Sequence, residues 1–385
     1  MVENGYKWPE NFCAGVLPPL GGLETPNVVR KWTSLLAEDT GMKVHLAYAP
    51  DKTHKFKWLH YGIADIVDGG AAEFGPVLEG LWDYGNRDTG AFPVRMLWVF
   101  SKYDSGFVVR GDSRIKDIYD IKPGVRVVDM RSYLPRQRNV EGLLAWAGIY
   151  DLENDVNWVP AHNTEEKARL IVEGKADIAS AIPSSPSTYE AERNPHGLRW
   201  IDLNEEKDPE GARRFHEKSP LYPDYFGPMF RGVQSARGVY STVGCDQFCC
   251  RADTDPEFIY HLAKWLDENW ARYKDLHPWL EQTNLKNLMD KLDTTFIPCH
   301  EGLVKYLKEL GLWTDPHEQR QKQNVAQVNM YCEASQKAMW LADEKEIAVS
   351  AKNPEWLELW ENYKKEQGLP KFDILPSLGK GRASL

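Results

Sequence analysis

Cations are the minority charge in this chain. Its 47 Lys and Arg are outnumbered by 57 Asp and Glu, for a formal net charge of −10, and no basic stripe stands out. Binding along a nucleic-acid backbone needs clustered Lys and Arg to neutralise phosphates, so that class of partner is disfavoured. Long apolar runs are missing as well: none approaches the roughly 18–20 residues that cross a bilayer. The opening stretch, MVENGYKWPENF, lacks the basic segment followed by an apolar one that marks a secretory leader. As it stands, the sequence predicts either a cytoplasmic protein or an exported one whose leader has been removed. Cysteine is sparse, with Cys13, Cys245, Cys249, Cys250, Cys299 and Cys332. Their spacing fits no paired CxxC zinc pattern, so no metal and no cofactor is expected. The adjacent pair in FCC (248–250) is ill suited to a structural disulfide. Reduced, buried thiols are the expectation, since free cysteine behaves as a small hydrophobe.

What is present is enough apolar residue to fill large cores, 42 % of a 385-residue chain, a length that suits two domains. PNVVRKWTSLLAEDT (26–40) spaces Val28, Val29, Trp32, Leu35 and Leu36 along one helical face. Pro26 lies in its first turn and Gly41 just past its end. KVHLAYA then alternates as a strand, THKFKWLHYG is a short helix stopped by Gly62, and IADIVDGG is a strand closing on two glycines. The same unit returns between about 125 and 185, as GVRVVDM, NVEGLLAWAGI, NDVNWVPA and TEEKARLIVEGKADIASAIP. In both copies a helix ends at glycine, one residue follows, and Ala-Asp-Ile opens a buried strand: GIADIV at 62–67 and GKADIAS at 174–180. Strands alternating with helices make largely parallel sheets covered by helices.

Between the copies, VRMLWVFSKYDSGFVVRGDS (94–113) reads as two apolar strands separated by polar SKYDSG. VYSTVGCDQFCCRAD (239–253) reads as a strand running back. The expected architecture is therefore α/β and two-lobed, a clamshell. Lobe 1 takes residues 8–100 plus about 235–313, lobe 2 takes 101–234, and a helical C-terminal extension covers 314–385. Ligands of open α/β sheets bind beyond the carboxyl ends of the strands. That rule singles out the segments 13–25, 68–75, 129–139 and 181–189, with the crossing segment 228–234.

TGMKV, YGIADI, VVRGDSRIKDIYDIKPGVRVV, LLAWAGI, EGKADIASAIPSSP and FIPCHEGLVKYLKELGLW, in that order, resemble the TAXI class of solute receptors for TRAP transporters. The resemblance runs from about residue 10 to 313. Its phrase R-x-DS-x-I-K-x-I-x-D-I (110–121) is shared by many type-two periplasmic-binding folds, while IP-x-H-x-G-x-x-x-Y-x-x-E-x-G (297–311) is closer to a TAXI signature. The resemblance implies a periplasmic-binding-protein-like fold outside the cytoplasm. It also implies capture of a small organic solute, often a carboxylate, in the interlobe cleft, and delivery to TRAP membrane subunits. Where that family has a Gly-Ser-Gly-Thr-like loop after its fifth strand, this chain has DMRSYLPRQRN. The bulkier loop and the aromatic surplus, 15 Trp and 17 Tyr, favour an aromatic or otherwise bulky acid.

The candidate ligand-binding residues come from these segments. Arg131, with Ser132 and Tyr133, opens a run that also holds Arg136 and Arg138. An arginine fork matches a carboxylate through two parallel hydrogen bonds; the alternative is pairing with surface acids. Ser184 and Ser185 stand at the matching place further on and offer hydroxyls, or serve as turn residues beside Pro183 and Pro186. Phe230 and Arg231 lie on the crossing segment. Gly70 and Ala71, after Gly69, let the backbone approach a ligand, and Glu73 would cap the next helix. Cys13 and Ala14 sit at the expected end of the first strand. Cys13 with His54 gives the alternative, a nucleophile and its proton partner. That reading is a cytoplasmic enzyme acting on an aromatic or sulfur-containing acid, similar at fold level to the biphenyl sulfinate desulfinases.

Overall fold

The computed structural model describes residues 6–18, 25–131, 133–161 and 166–378. In chain order come β1 (Asn11–Val16), α1 (Thr25–Thr40), β2 (Lys43–Tyr48), α2 (Lys52–His60), β3 (Ile66–Gly69), α3 (Ala71–Glu79) and β4 (Val94–Arg110). Next are β5 (Val125–Val128), α4 (Leu134–Trp146), β6 (Val156–Val159), α5 (Glu166–Val172), β7 (Ala179–Ala181) and α6 (Pro186–Glu192). Then follow β8 (Leu198–Trp200), α7 (Pro209–Lys218), β9 (Tyr225–Pro228) and β10 (Tyr240–Arg251). The rest is helical: α8 (Pro256–Glu268), α9 (Trp270–Tyr273), α10 (Leu285–Leu292), α11 (Glu301–Glu309), α12 (Asp315–Glu344) and α13 (Pro354–Glu366). Two compact units result, Met1–Lys102 with Cys245–Leu385, and Tyr103–Gly244. The chain passes between them inside β4 and again inside β10.

In the first unit β2, β1 and β3 run parallel in that order, and β10 joins β3 antiparallel. Phe12, Trp32, Phe248 and Phe258 are buried together. Trp32 meets Phe248 edge-on at 5.6 Å and Phe12 meets Phe258 at 5.7 Å, the geometry that ring quadrupoles prefer. The described part of the C-terminal extension, residues 314–378, belongs to this unit rather than forming a segment apart. Trp356 and Trp360 donate their indole N–H groups to the Gly85 and Glu79 carbonyls, each at 2.8 Å, and the Phe372 N–H donates to the Glu79 carboxylate at 2.8 Å.

The phrase at 297–311 has a packing explanation. His300 caps α11, its Nδ1 accepting from the Gly302 N–H at 3.2 Å. The Tyr306 hydroxyl donates to Asp267 of α8 at 2.7 Å. A Cβ on Gly302 would stand 2.3 Å from the Pro256 carbonyl oxygen, so glycine is what lets α11 lie against α8. Gly302→Ala should cost about 1–3 kcal/mol of stability, the usual toll of overpacking, measured by urea unfolding. A loss below about 0.5 kcal/mol would show that the helix pair gives way freely.

In the second unit β5 and β6 pair in parallel, and Ile178 adds a parallel bridge to Val127. The pairs β4–β7, β4–β8 and β9–β10 are antiparallel. Val127, Leu143, Trp146, Ile171, Ile178, Phe215 and Phe226 lie in its core.

Both units use Ala-Asp-Ile in the same way. The Asp65 N–H donates to the Cys13 carbonyl at 2.8 Å, and the Cys13 N–H donates back to the Asp65 carboxylate at 2.7 Å. Asp177 repeats this with Arg126 at 2.8 and 2.9 Å. Gly62 and Gly174 precede them at φ +67° and +70°, the left-handed conformation that ends a helix at glycine. The repeat thus bolts a helix-to-strand turn onto the neighbouring strand.

β4 is one strand of 17 residues, where two were expected. The polar stretch read as a break runs straight through, and Asp104 and Ser105 within it are buried.

Candidate functional site

In the second unit the chain leaves β5 and enters α4 at Leu134, so Arg136 and Arg138 stand on a helix and not in a loop. Tyr133 is the residue before that helix, and Ser132 lies outside the described residues. Arg131 is 63 % exposed and forks onto Asp129, with Nε at 2.8 and 3.0 Å from its two oxygens. That bond holds the Asp129 carboxyl below its usual range. The structure therefore places Arg131 in a local ion pair, the alternative named for it, where most of its charge is already met. Arg138 likewise reaches Glu141 at 2.6 Å.

Arg136 is held differently. Its Nη1 donates to the Ser105 hydroxyl at 3.0 Å. Ser105 Oγ lies 2.8 Å from the Tyr222 hydroxyl and 3.0 Å from that of Thr242; Thr242 also lies 3.1 Å from the Tyr222 hydroxyl and donates to the Ser105 carbonyl at 2.6 Å. Ser105, Tyr222 and Thr242 are buried. Thr242 spends its proton on the carbonyl, so its oxygen accepts within the group, and the three hydroxyls satisfy one another. The contact orients the guanidinium. Burial pushes the Tyr222 pKa up, and Arg136 pulls against that rise. A cation in the first turn of a helix also opposes the helix dipole, so helix stability does not account for an arginine at this position.

Arg231, expected among the ligand-binding residues, stands beside a buried carboxylate of its own unit. Asp104 is 0 % exposed; its Oδ2 accepts from the Phe230 and Arg231 N–H groups at 2.7 and 3.1 Å, and its Oδ1 lies 3.8 Å from Arg231 Nε. The next residue, Gly232, has φ +86°, and a Cβ there would meet the Pro183 carbonyl oxygen at 2.1 Å. Val233 N–H donates to that carbonyl at 3.0 Å. The structure so brings the 230–233 and 183–185 segments together, with the Phe230 ring 38 % exposed. Ser185 serves as a cap, its Oγ accepting from the Thr188 N–H at 3.3 Å, which leaves Ser184 as the hydroxyl of that pair not used in capping.

In the first unit the space at Gly70 is taken. A Cβ there would lie 2.4 Å from Asp246 Oδ1, so what approaches this backbone is the chain's own carboxylate rather than a ligand. Ala71 is buried at the start of α3, and Glu73 caps that helix by accepting from the Gly70 N–H at 3.3 Å. Glu73 also pairs with Lys52. Buried Lys55 donates to the Asp68 carbonyl at 2.8 Å and lies 3.3 Å from its carboxylate. Burial, then Glu73 and Asp68, push Asp246 up to about 7. Burial raises Glu73 too, but Lys52 and Lys55 outweigh it and hold Glu73 down at about 2. Neighbouring carboxyls split in this way, one keeping the proton and the other the charge.

Cys13 is the third residue of β1, not its end. Burial and then Asp65 push its thiol pKa up, which makes it a poor nucleophile at neutral pH. Ala14 is buried between Leu46 and Ile66. The His54 imidazole is held by Asp51 at 2.9 and 3.0 Å. None of these contacts joins Cys13 to His54. All six cysteines are free thiols. Among the described residues no group of three or more His, Cys, Asp and Glu is placed to hold a metal ion, and no helix is long and apolar enough to cross a membrane.

Two α/β units, linked through one pair of strands, make a periplasmic-binding-protein-like fold. More particularly, the chain belongs to the NMT1-like family, whose model matches residues 88–311, more than half its length. No curated protein matches the sequence. Among solved structures, a binding protein component of an ABC phosphonate transporter from Pseudomonas aeruginosa is 12 % identical, with a TM-score of 0.42, over 86 % of this chain and 99 % of that one. The periplasmic aliphatic sulphonate binding protein of Escherichia coli is 12 % identical, with a TM-score of 0.41, over 97 % and 95 %. A putative binding component of an ABC transporter from Wolinella succinogenes, complexed with lysine, is 11 % identical, with a TM-score of 0.39, over 71 % and 97 %. Similarity at this level fixes no ligand.

Proposed function

We propose that this chain is a solute-binding protein that captures a small organic acid and delivers it to a membrane transporter. The observation that carries the reading is Arg136, set on a closed group of buried hydroxyls and facing against its own helix dipole. The planar fork of a guanidinium oriented by a hydroxyl suits a carboxylate. The exposed ring of Phe230 offers apolar contact to an aromatic or bulky body. The 297–311 phrase, which resembles that of TAXI receptors, makes TRAP-type membrane subunits the proposed partner and a place outside the cytoplasm the proposed location. Binding and release suffice for this role, with no chemical step.

A thermal-shift screen of organic acids, neutral solutes and cations tests the reading, because a ligand held only by the native state raises its melting temperature. Acids are expected to raise it by a few degrees at about a hundredfold excess over Kd. Arg131→Ala should keep that shift, since Asp129 already holds Arg131. Stabilisation by neutral solutes or cations, with none by acids, would sink the reading.

A further inference from the structure

α13 buries Trp356 and Trp360. The face beside them carries Glu355, Leu359 and Glu366 at helical spacing along a cleft of about 490 Å³, with the end of α12 as the other wall. Leu341 and Ile347 on one side and Leu359 and Tyr363 on the other are only half-buried there. Glu355, Glu358 and Glu366 also line it, and Lys345 is the cation among the lining residues. Among the described residues the three carboxylates have no ion-pair partner, whereas Glu361 of the same helix takes Lys364 at 2.6 Å. Ile347 is placed by the turn that ends α12: its N–H donates to the Ala342 carbonyl at 2.8 Å, and the Glu346 N–H donates to that of Asp343 at 3.1 Å. Such an ending favours glycine at its left-handed position, yet Glu346 stands there at φ +57°. Glutamate in that conformation costs stability, and it sets one more exposed carboxylate between two lining residues. Trp340, just before Leu341, is 58 % exposed, more than any other large apolar side chain among the described residues. The cleft lies wholly beyond residues 88–311, which the family model matches.

We propose that this cleft docks a basic segment of a partner protein, one that seats a bulky apolar side chain between α12 and α13 and sets Lys or Arg against the glutamates. Apolar surface rimmed by polar groups is the usual mark of an interaction site. Here apolar burial supplies affinity, and the unmatched carboxylates choose the sign of the partner's charge. A second copy of this chain is a poor occupant, because its net charge is −10 and like charges across an interface oppose association. The proposal does not rest on the acid-capture reading.

Fluorescence anisotropy tests this with the full chain at physiological ionic strength and three short labelled peptides, built of Lys and Leu, of Lys and Ser, and of Glu and Leu. The Lys–Leu peptide is expected to bind about tenfold or more tighter than either of the others. Glu358→Lys should weaken it about tenfold. Glu153→Lys makes the same charge change at an exposed residue of the other unit and should leave it within about twofold. Glu346→Gly is expected to raise the melting temperature while weakening the peptide about twofold, which separates a loss of binding from a loss of fold. Equal binding of the Lys–Leu and Lys–Ser peptides, binding of none, preference for the Glu–Leu peptide, or an equal response to Glu358→Lys and Glu153→Lys would overturn the proposal. So would self-association in sedimentation velocity that Glu358→Lys abolishes, since the occupant would then be a second copy of the chain.

Discussion

Asp246→Asn is expected to stabilise the folded protein at pH 8, by about 2–4 kcal/mol if the full displacement of the carboxyl from its ordinary value is felt. The Asp246 pKa is raised to about 7 in the fold, against an unfolded value of about 4. A raised acid binds its proton more tightly when folded, so its contribution is favourable below pH 4 and is lost as pH rises through 7. Asparagine has no such loss. The advantage of the variant should therefore grow by about 2–3 kcal/mol between pH 5 and pH 8 and then level off. Urea unfolding at a series of pH values measures it. A variant less stable than the parent at pH 8 would mean that Lys291 and Lys52 need the ionised carboxylate more than burial opposes it. Groups displaced this far concentrate at functional sites, and Asp246 stands against Gly70 at the carboxyl end of β3.

Arg136→Ala is expected to weaken the binding of screened acids about a hundredfold, or 2–4 kcal/mol, the range for losing a charge-assisted contact in a buried site. Arg136→Lys should recover only part, because an ammonium replaces a planar fork with a point charge. Titration calorimetry at fixed ionic strength reads both. A loss under threefold in Arg136→Ala would remove the arginine from recognition.

The alternation of strands and helices, the two Ala-Asp-Ile phrases and the glycines before them were legible because each is local: a left-handed turn and a carboxylate answering a nearby backbone N–H. The site was less so. Arg131, Arg136 and Arg138 look alike in the sequence, and what separates them is whether Asp129, Glu141 or a hydroxyl from a distant strand lies within reach. Asp129, two residues before Arg131, was in plain view. Ser105, Tyr222 and Thr242 come from three separate stretches, and only the fold gathers them. One clue did exist in β4, where SKYDS interrupts an apolar run that the strand simply continues through.

The central claim, that Arg136 meets an organic acid, is tested most directly by a crystal structure of the full chain with the tightest-binding acid of the screen. The account predicts an acidic oxygen of the ligand within about 3 Å of the Arg136 guanidinium. A ligand seated with its charged group on Arg131, or with no charged atom near Arg136, would contradict it.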